Sequence, residues 1–135
     1  MRTLRATGAL VLGLYGASYL WLAPAAVPGG AGGPLWAVVE VLVIMTAAGF
    51  AVAGWGLARG TPWSSRMTIA AALAGLATLI PYLVAVRTVA VGHAEVNAAL
   101  HGLGCAAILL VMLIPPAERT LSRRARAARD GLAPG

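Results

Sequence analysis

Four apolar stretches, at about residues 7–23, 35–58, 67–86 and 96–114, take up most of this 135-residue chain. Each approaches the ~20 residues that an α-helix needs to cross ~30 Å of hydrocarbon. Between the first two lies "PAAVPGGAGGP", residues 24–34, whose prolines and glycines no continuous helix crosses. "RGTPWSSR" makes a short turn between the second and third, and "RTVAVGHAE" separates the third from the fourth. Composition excludes the water-soluble alternative: 10% of residues are charged, 60% are hydrophobic and the mean hydropathy is +0.85. A soluble domain of this length carries about a quarter charged residues. The pattern predicts an all-α fold, an integral membrane four-helix bundle over residues 1–116 with a basic tail over 117–135.

Charge sets the orientation. All ten basic residues are arginine. Arg2 and Arg5 open the first span, Arg59 and Arg66 bracket the second turn, and Arg119, Arg123, Arg124, Arg126 and Arg129 follow the fourth span. Only Arg87 falls on the opposite side, so the positive-inside rule places both termini on the cytoplasmic side, and the expected location is the cell membrane, as a multi-pass protein of the bacterial inner membrane. The net charge of +6 does not argue for nucleic acid, because five arginines sit in the last seventeen residues, where they meet anionic headgroups. The first span also has the basic start, apolar middle and small-residue end of a cleaved signal peptide. Its apolar stretch exceeds the usual 7 to 15 residues, and Tyr15, Tyr19 and Trp21 suit a retained helix with an interfacial belt.

Trp55 and Trp63 then fall at the cytoplasmic interface, and Trp21, Trp36 and Tyr82 near the outer one. Small residues at i, i+4 spacing, Ala9 with Gly13, Ala71 with Gly75, and Ala98 with Gly102 and Ala106, are expected to let helix backbones approach. Cys105 alone excludes an intrachain disulfide and reads as a buried, inert thiol. Pro115 and Pro116 are expected to stop the fourth helix, leaving either a short basic surface helix or a solvated tail.

The uncommon residues gather by depth. Glu40 stands in "LWAVVEVLVIM", about 8 Å in from the outer end of its span at 1.5 Å per residue. Arg87 ends the third span on that side, and "VGHAEVNAALHG" brings His93, Glu95, Asn97 and His101 to the start of the fourth. An ionisable group at such depth costs about 2 to 3 kcal/mol on insertion scales, so it is expected to face the bundle interior or an opposite charge. Glu40 is therefore expected to meet Arg87 or His101. A helix extended back to His93 would align His93, Asn97 and His101 on one face, with the two histidines ~12 Å apart along the axis, too far to share a metal. No metal and no cofactor is expected.

The chemistry this implies is acid-base work on a lipophilic small molecule. Glu40 would act as general acid with His101 as partner, and Tyr19, Trp21, Trp36, Tyr82, Arg87 and Asn97 would line the substrate pocket, the aromatics stabilising a developing cation. The same cluster also fits an interhelical pair that only fixes packing. "LRATGALVLGLYGASYL" and "VVEVLVIMTAAGFAVAGWGLAR", where a glutamate opens a helix that closes on glycine and arginine, resemble the DoxX-like proteins, small four-span bacterial membrane proteins. The resemblance covers the first two helices, about 60 residues, and implies a redox-accessory role. Three functions follow: a membrane-embedded isomerase or cyclase, a non-catalytic subunit of a redox or envelope complex, and a small transporter. The expected partners are membrane lipids, a lipophilic small molecule, and a second copy or another membrane protein, with no nucleic acid.

Overall fold

A computed structural model describes residues 2–23, 32–88 and 93–130, with side chains described through Ile114 apart from residues 2, 4 and 88. Its elements are α1 (Arg2–Ser18), a 3-10 turn (Tyr19–Leu22), α2 (Pro34–Arg59), α3 (Ser64–Ala85), a second 3-10 turn (Val86–Thr88) and α4 (Ala94–Asp130). No strand occurs among the described residues. Among the described residues three segments, Pro34–Arg59, Ser64–Ala85 and Ala94–Ile114, are long and apolar enough to cross a membrane. Most of the expected breaker at 24–34, and the middle of the loop before His93, lie outside the described residues.

Local chemistry explains the boundaries. Pro34 starts α2, where its missing amide would have had no intrahelical partner. Gly60 ends α2 in the left-handed region at φ 70°, with its amide on the Leu57 carbonyl and the Thr61 amide on the Gly56 carbonyl. These two bonds are those of a Schellman motif, which satisfies carbonyls the helix end leaves open. His93 takes a positive φ of 64° just ahead of α4, and its carbonyl accepts the Asn97 amide. His93 is thus the turn residue before the helix, exposed, and not a member of the helical face shared by Asn97 and His101. The expected stop at Pro115 and Pro116 is not observed, since α4 continues to Asp130. Two missing amides weaken the ladder there, but the following arginines and alanines are strong helix formers.

Consecutive helices run antiparallel. A Cβ on Gly16 would lie 2.7 Å from that of Phe50, and one on Gly54 would lie 2.8 Å from the Ala9 carbonyl oxygen, so glycine brings α1 and α2 into backbone contact. Between α2 and α3, Gly49 faces Ala71, and the buried hydroxyls of Thr46 and Thr78 lie 3.2 Å apart. Ala71 and Gly75 are indeed interfacial, whereas Gly13 faces open space. At the end where α2 finishes, the Arg59 guanidinium stacks 4.1 Å over the Trp55 ring. Below, "distal" means the opposite end, where α1 and α3 finish and α2 and α4 begin.

Candidate functional site

On α2 the buried stripe is Trp36, Val39, Val43, Thr46, Phe50 and Ala53. Glu40 follows Val39 by one residue, hence by about 100° around the axis. It points outward, exposed, among the equally exposed Val38, Val41 and Ile44. It has no hydrogen bond or ion pair with any described residue. The expected meeting of Glu40 with His101 or Arg87 therefore does not occur: the three share a depth but not a face. Trp21, expected in the pocket, is also outward at 76% exposure, an anchor position rather than a lining one.

His101 is buried, as the stripe Ala94, Ala98, His101 and Cys105 turns α4 inward. Its partners come from α1 instead. The Tyr15 hydroxyl donates to the His101 carbonyl at 2.6 Å and lies 3.4 Å from Cys105 Sγ. The Tyr19 hydroxyl lies 2.9 Å from the same sulfur, and the Tyr19 ring sits edge-on to the imidazole with centroids 4.7 Å apart. Glycine makes room for this crossing. A Cβ on Gly75 of α3 would stand 2.5 Å from the Tyr19 hydroxyl and 2.7 Å from Cys105 Sγ, and one on Gly104 would stand 2.5 Å from the Tyr15 ring.

The imidazole is oriented at both nitrogens. Nδ1 lies 2.7 Å from the Asn97 carbonyl oxygen, and a carbonyl only accepts, so Nδ1 carries a proton. That leaves Nε2 facing Ser18 Oγ at 3.2 Å. Ser18 Oγ is also 2.6 Å from the Tyr15 carbonyl, to which it donates. This carbonyl is the one an α-helical Tyr19 amide would use, and the chain tightens to a 3-10 turn from Tyr19 onward. The single Ser18 hydrogen can thus serve either bond. With Nε2 unprotonated, the hydroxyl turns to donate to it; with Nε2 protonated, the ring donates to Ser18 Oγ and the hydroxyl returns to Tyr15. The Ser18 hydroxyl hydrogen therefore serves either the Tyr15 carbonyl or Nε2, and not both at once.

Ser18 and His101 do not form an acyl-transfer centre. Ser18 lies at the carbonyl end of α1, where the helix dipole is negative and would destabilise an oxyanion. The arrangement suits proton transfer. Along the same α1–α4 seam an apolar groove of about 270 Å³ opens between Gly8, Val11 and Leu12 on one side and Ala107, Ile108 and Val111 on the other, with Leu57 and Met112 completing it. Leu12 lies three residues from Tyr15, and Ile108 three from Cys105, so the groove ends one helical turn below the polar cluster.

The remaining expected residues separate. Trp36 and Tyr82 are buried and pack edge to face at 6.3 Å, Trp36 Nε1 has no hydrogen-bond partner among the described residues, and the Tyr82 hydroxyl interacts with the half-buried Asn97 side chain. Arg87 is exposed beside Glu95 on the outside of α3 and α4. Among the described residues no three His, Cys, Asp or Glu side chains gather as a metal would need. Tyr15, Ser18 and Cys105 were absent from the expected site. The signal for Cys105 was its i+4 spacing from His101, which continues the Asn97, His101 series by one turn. Tyr15 and Ser18 carried only their i, i+3 spacing beside Tyr19. No protein-family model, no curated protein and no solved structure matches this chain.

Proposed function

We propose that this chain is a bacterial inner-membrane protein of four spanning helices with both termini in the cytoplasm, and that it performs acid-base chemistry on a lipophilic molecule held in the α1–α4 seam. Arginine placement supports the orientation, and α1 with its 3-10 turn supplies the fourth crossing. The observation that carries the enzymatic reading is the Ser18 Oγ to His101 Nε2 contact at 3.2 Å, with Nδ1 fixed by the Asn97 carbonyl, on the same seam as an apolar groove that ends one turn short of Tyr15 and Cys105. An apolar chain lies in the groove, and the reacting group meets His101 at Nε2. The reaction class is isomerisation or cyclisation, with His101 moving the proton and Ser18 positioning it. Tyr15 and Tyr19 supply aromatic faces toward a developing cation.

The test is extraction of bound small molecules from protein purified in mild detergent, followed by mass spectrometry. Wild type should retain a lipophilic molecule that Ala107→Trp, which fills the groove from an exposed position, loses. His101→Gln keeps the groove and should retain a chemically different, unconverted molecule. No groove-dependent molecule would overturn the binding reading, and the same molecule in wild type and His101→Gln would overturn the catalytic one.

A second reading has its own support. Glu40, exposed and unpaired among the described residues on an apolar face of α2, is costly against lipid and fits a subunit that docks another membrane protein. In that case the α1–α4 cluster serves as a clasp, and a stoichiometric partner lost on Glu40→Leu should co-purify.

A further inference from the structure

α3 and α4 enclose a second hollow, of about 460 Å³, at the distal end and away from the α1–α4 seam. Leu79, Leu83, Val86, Ala98 and Ala99 line it with hydrocarbon, and Arg87 and Glu95 contribute its charges. Arg87 lies two residues beyond the end of α3 at Ala85, and Glu95 is the second residue of α4. The two charges therefore flank the hollow where the apolar helices run out, the level at which headgroups begin. Both are exposed, and neither forms an ion pair with the other or with any described residue. Opposite charges that border one hollow without neutralising each other leave separate places for an anion and a cation.

We propose that this hollow binds the zwitterionic headgroup of a phospholipid that carries a primary amine, phosphate against Arg87 and ammonium against Glu95, with the start of an acyl chain along Leu79, Leu83 and Val86. A guanidinium matches phosphate oxygens with paired donors. A carboxylate accepts hydrogen bonds from a primary ammonium, whereas a trimethylammonium has no N–H and is held by aromatic faces. No aromatic residue is among the described residues that line this hollow. An anionic headgroup without an amine would still set its phosphate against Arg87 but would leave the Glu95 carboxylate without a cation. The volume falls within the ~300–1,000 Å³ of small-molecule sites. The proposal shares with the preceding section only the membrane setting, and it does not depend on the α1–α4 seam.

The experiment is native mass spectrometry of the full chain in detergent with equal amounts of phosphatidylethanolamine, phosphatidylcholine and phosphatidylglycerol. Phosphatidylethanolamine adducts should exceed each of the others by roughly three- to fivefold, the scale of a partly exposed ion pair. Glu95→Gln should abolish the preference over phosphatidylcholine and raise phosphatidylglycerol binding, and Arg87→Gln should lower adducts of all three. Both side chains are exposed, so neither change disturbs the core. Glu40→Gln removes a carboxylate elsewhere and should leave the preference intact. Equal adducts in wild type, a preference for phosphatidylglycerol, a preference that survives Glu95→Gln, or an Arg87→Gln variant with undiminished adducts would overturn the proposal. Loss of a molecule from the α1–α4 groove leaves this readout untouched, so the two readings fail separately.

Discussion

The α2–α3 and α1–α4 seams hold the bundle together by different means. At the first, small residues bring backbones close: Gly49 abuts Ala71, and Thr46 and Thr78 pair within the contact. At the second the backbones stay apart and side chains span the gap, with Tyr15, Ser18 and Tyr19 reaching to His101 and Cys105. A seam closed by backbone contact has no room for a ligand. One closed by side chains leaves an open apolar groove beside it, the space that the proposed function fills with an apolar chain.

The comparison can be broken most severely at Gly75. Gly75→Leu would force a side chain into Tyr19 and Cys105, and overpacking of this kind destabilises by ~1–3 kcal/mol or more. We expect the upper end, read as a lowered thermal midpoint in detergent. Gly13→Leu, whose Cβ meets nothing within 4 Å, should lower nothing. Next in size is Glu40→Leu. If the α2 face meets lipid, the change should favour insertion by about 2 to 3 kcal/mol in a translocon insertion assay. Lost stability in the intact protein would instead reveal a partner on that face. Tyr19→Phe removes the hydroxyl beside Cys105 while keeping the ring, and should lower stability by about 1 kcal/mol. Smallest is the pair Thr46→Val and Thr78→Val, where a double-mutant cycle should give a coupling of about 0.6 kcal/mol, the average for such bonds in membranes.

Much of the fold was legible because proline, glycine and arginine mark the helix ends so sharply. The expected second span, 35–58, lies within Pro34–Arg59, and the third, 67–86, overlaps Ser64–Ala85. The site was legible in depth but not in direction. α2 is apolar around almost its whole circumference, so no polar stripe tells which way Glu40 points, and only the packing of Val39 and Val43 against the core decides it. His101 could be placed at its level, but its true partner Ser18 looked like an ordinary helical serine. Its importance comes from the crossing of α1 over α4, which glycines at positions 75 and 104 permit and no local pattern announces.

The central claim is that His101 works with Ser18 across the α1–α4 seam and not with Glu40. Two double-mutant cycles of unfolding free energy in one detergent test it directly, Ser18→Ala with His101→Gln and Glu40→Gln with His101→Gln. The first pair should couple by ~0.6–1.7 kcal/mol, the range of interhelical hydrogen bonds in membranes. The second should be additive within ~0.3–0.5 kcal/mol, as for sites without shared contacts. Coupling between Glu40 and His101, with none between Ser18 and His101, would contradict the account.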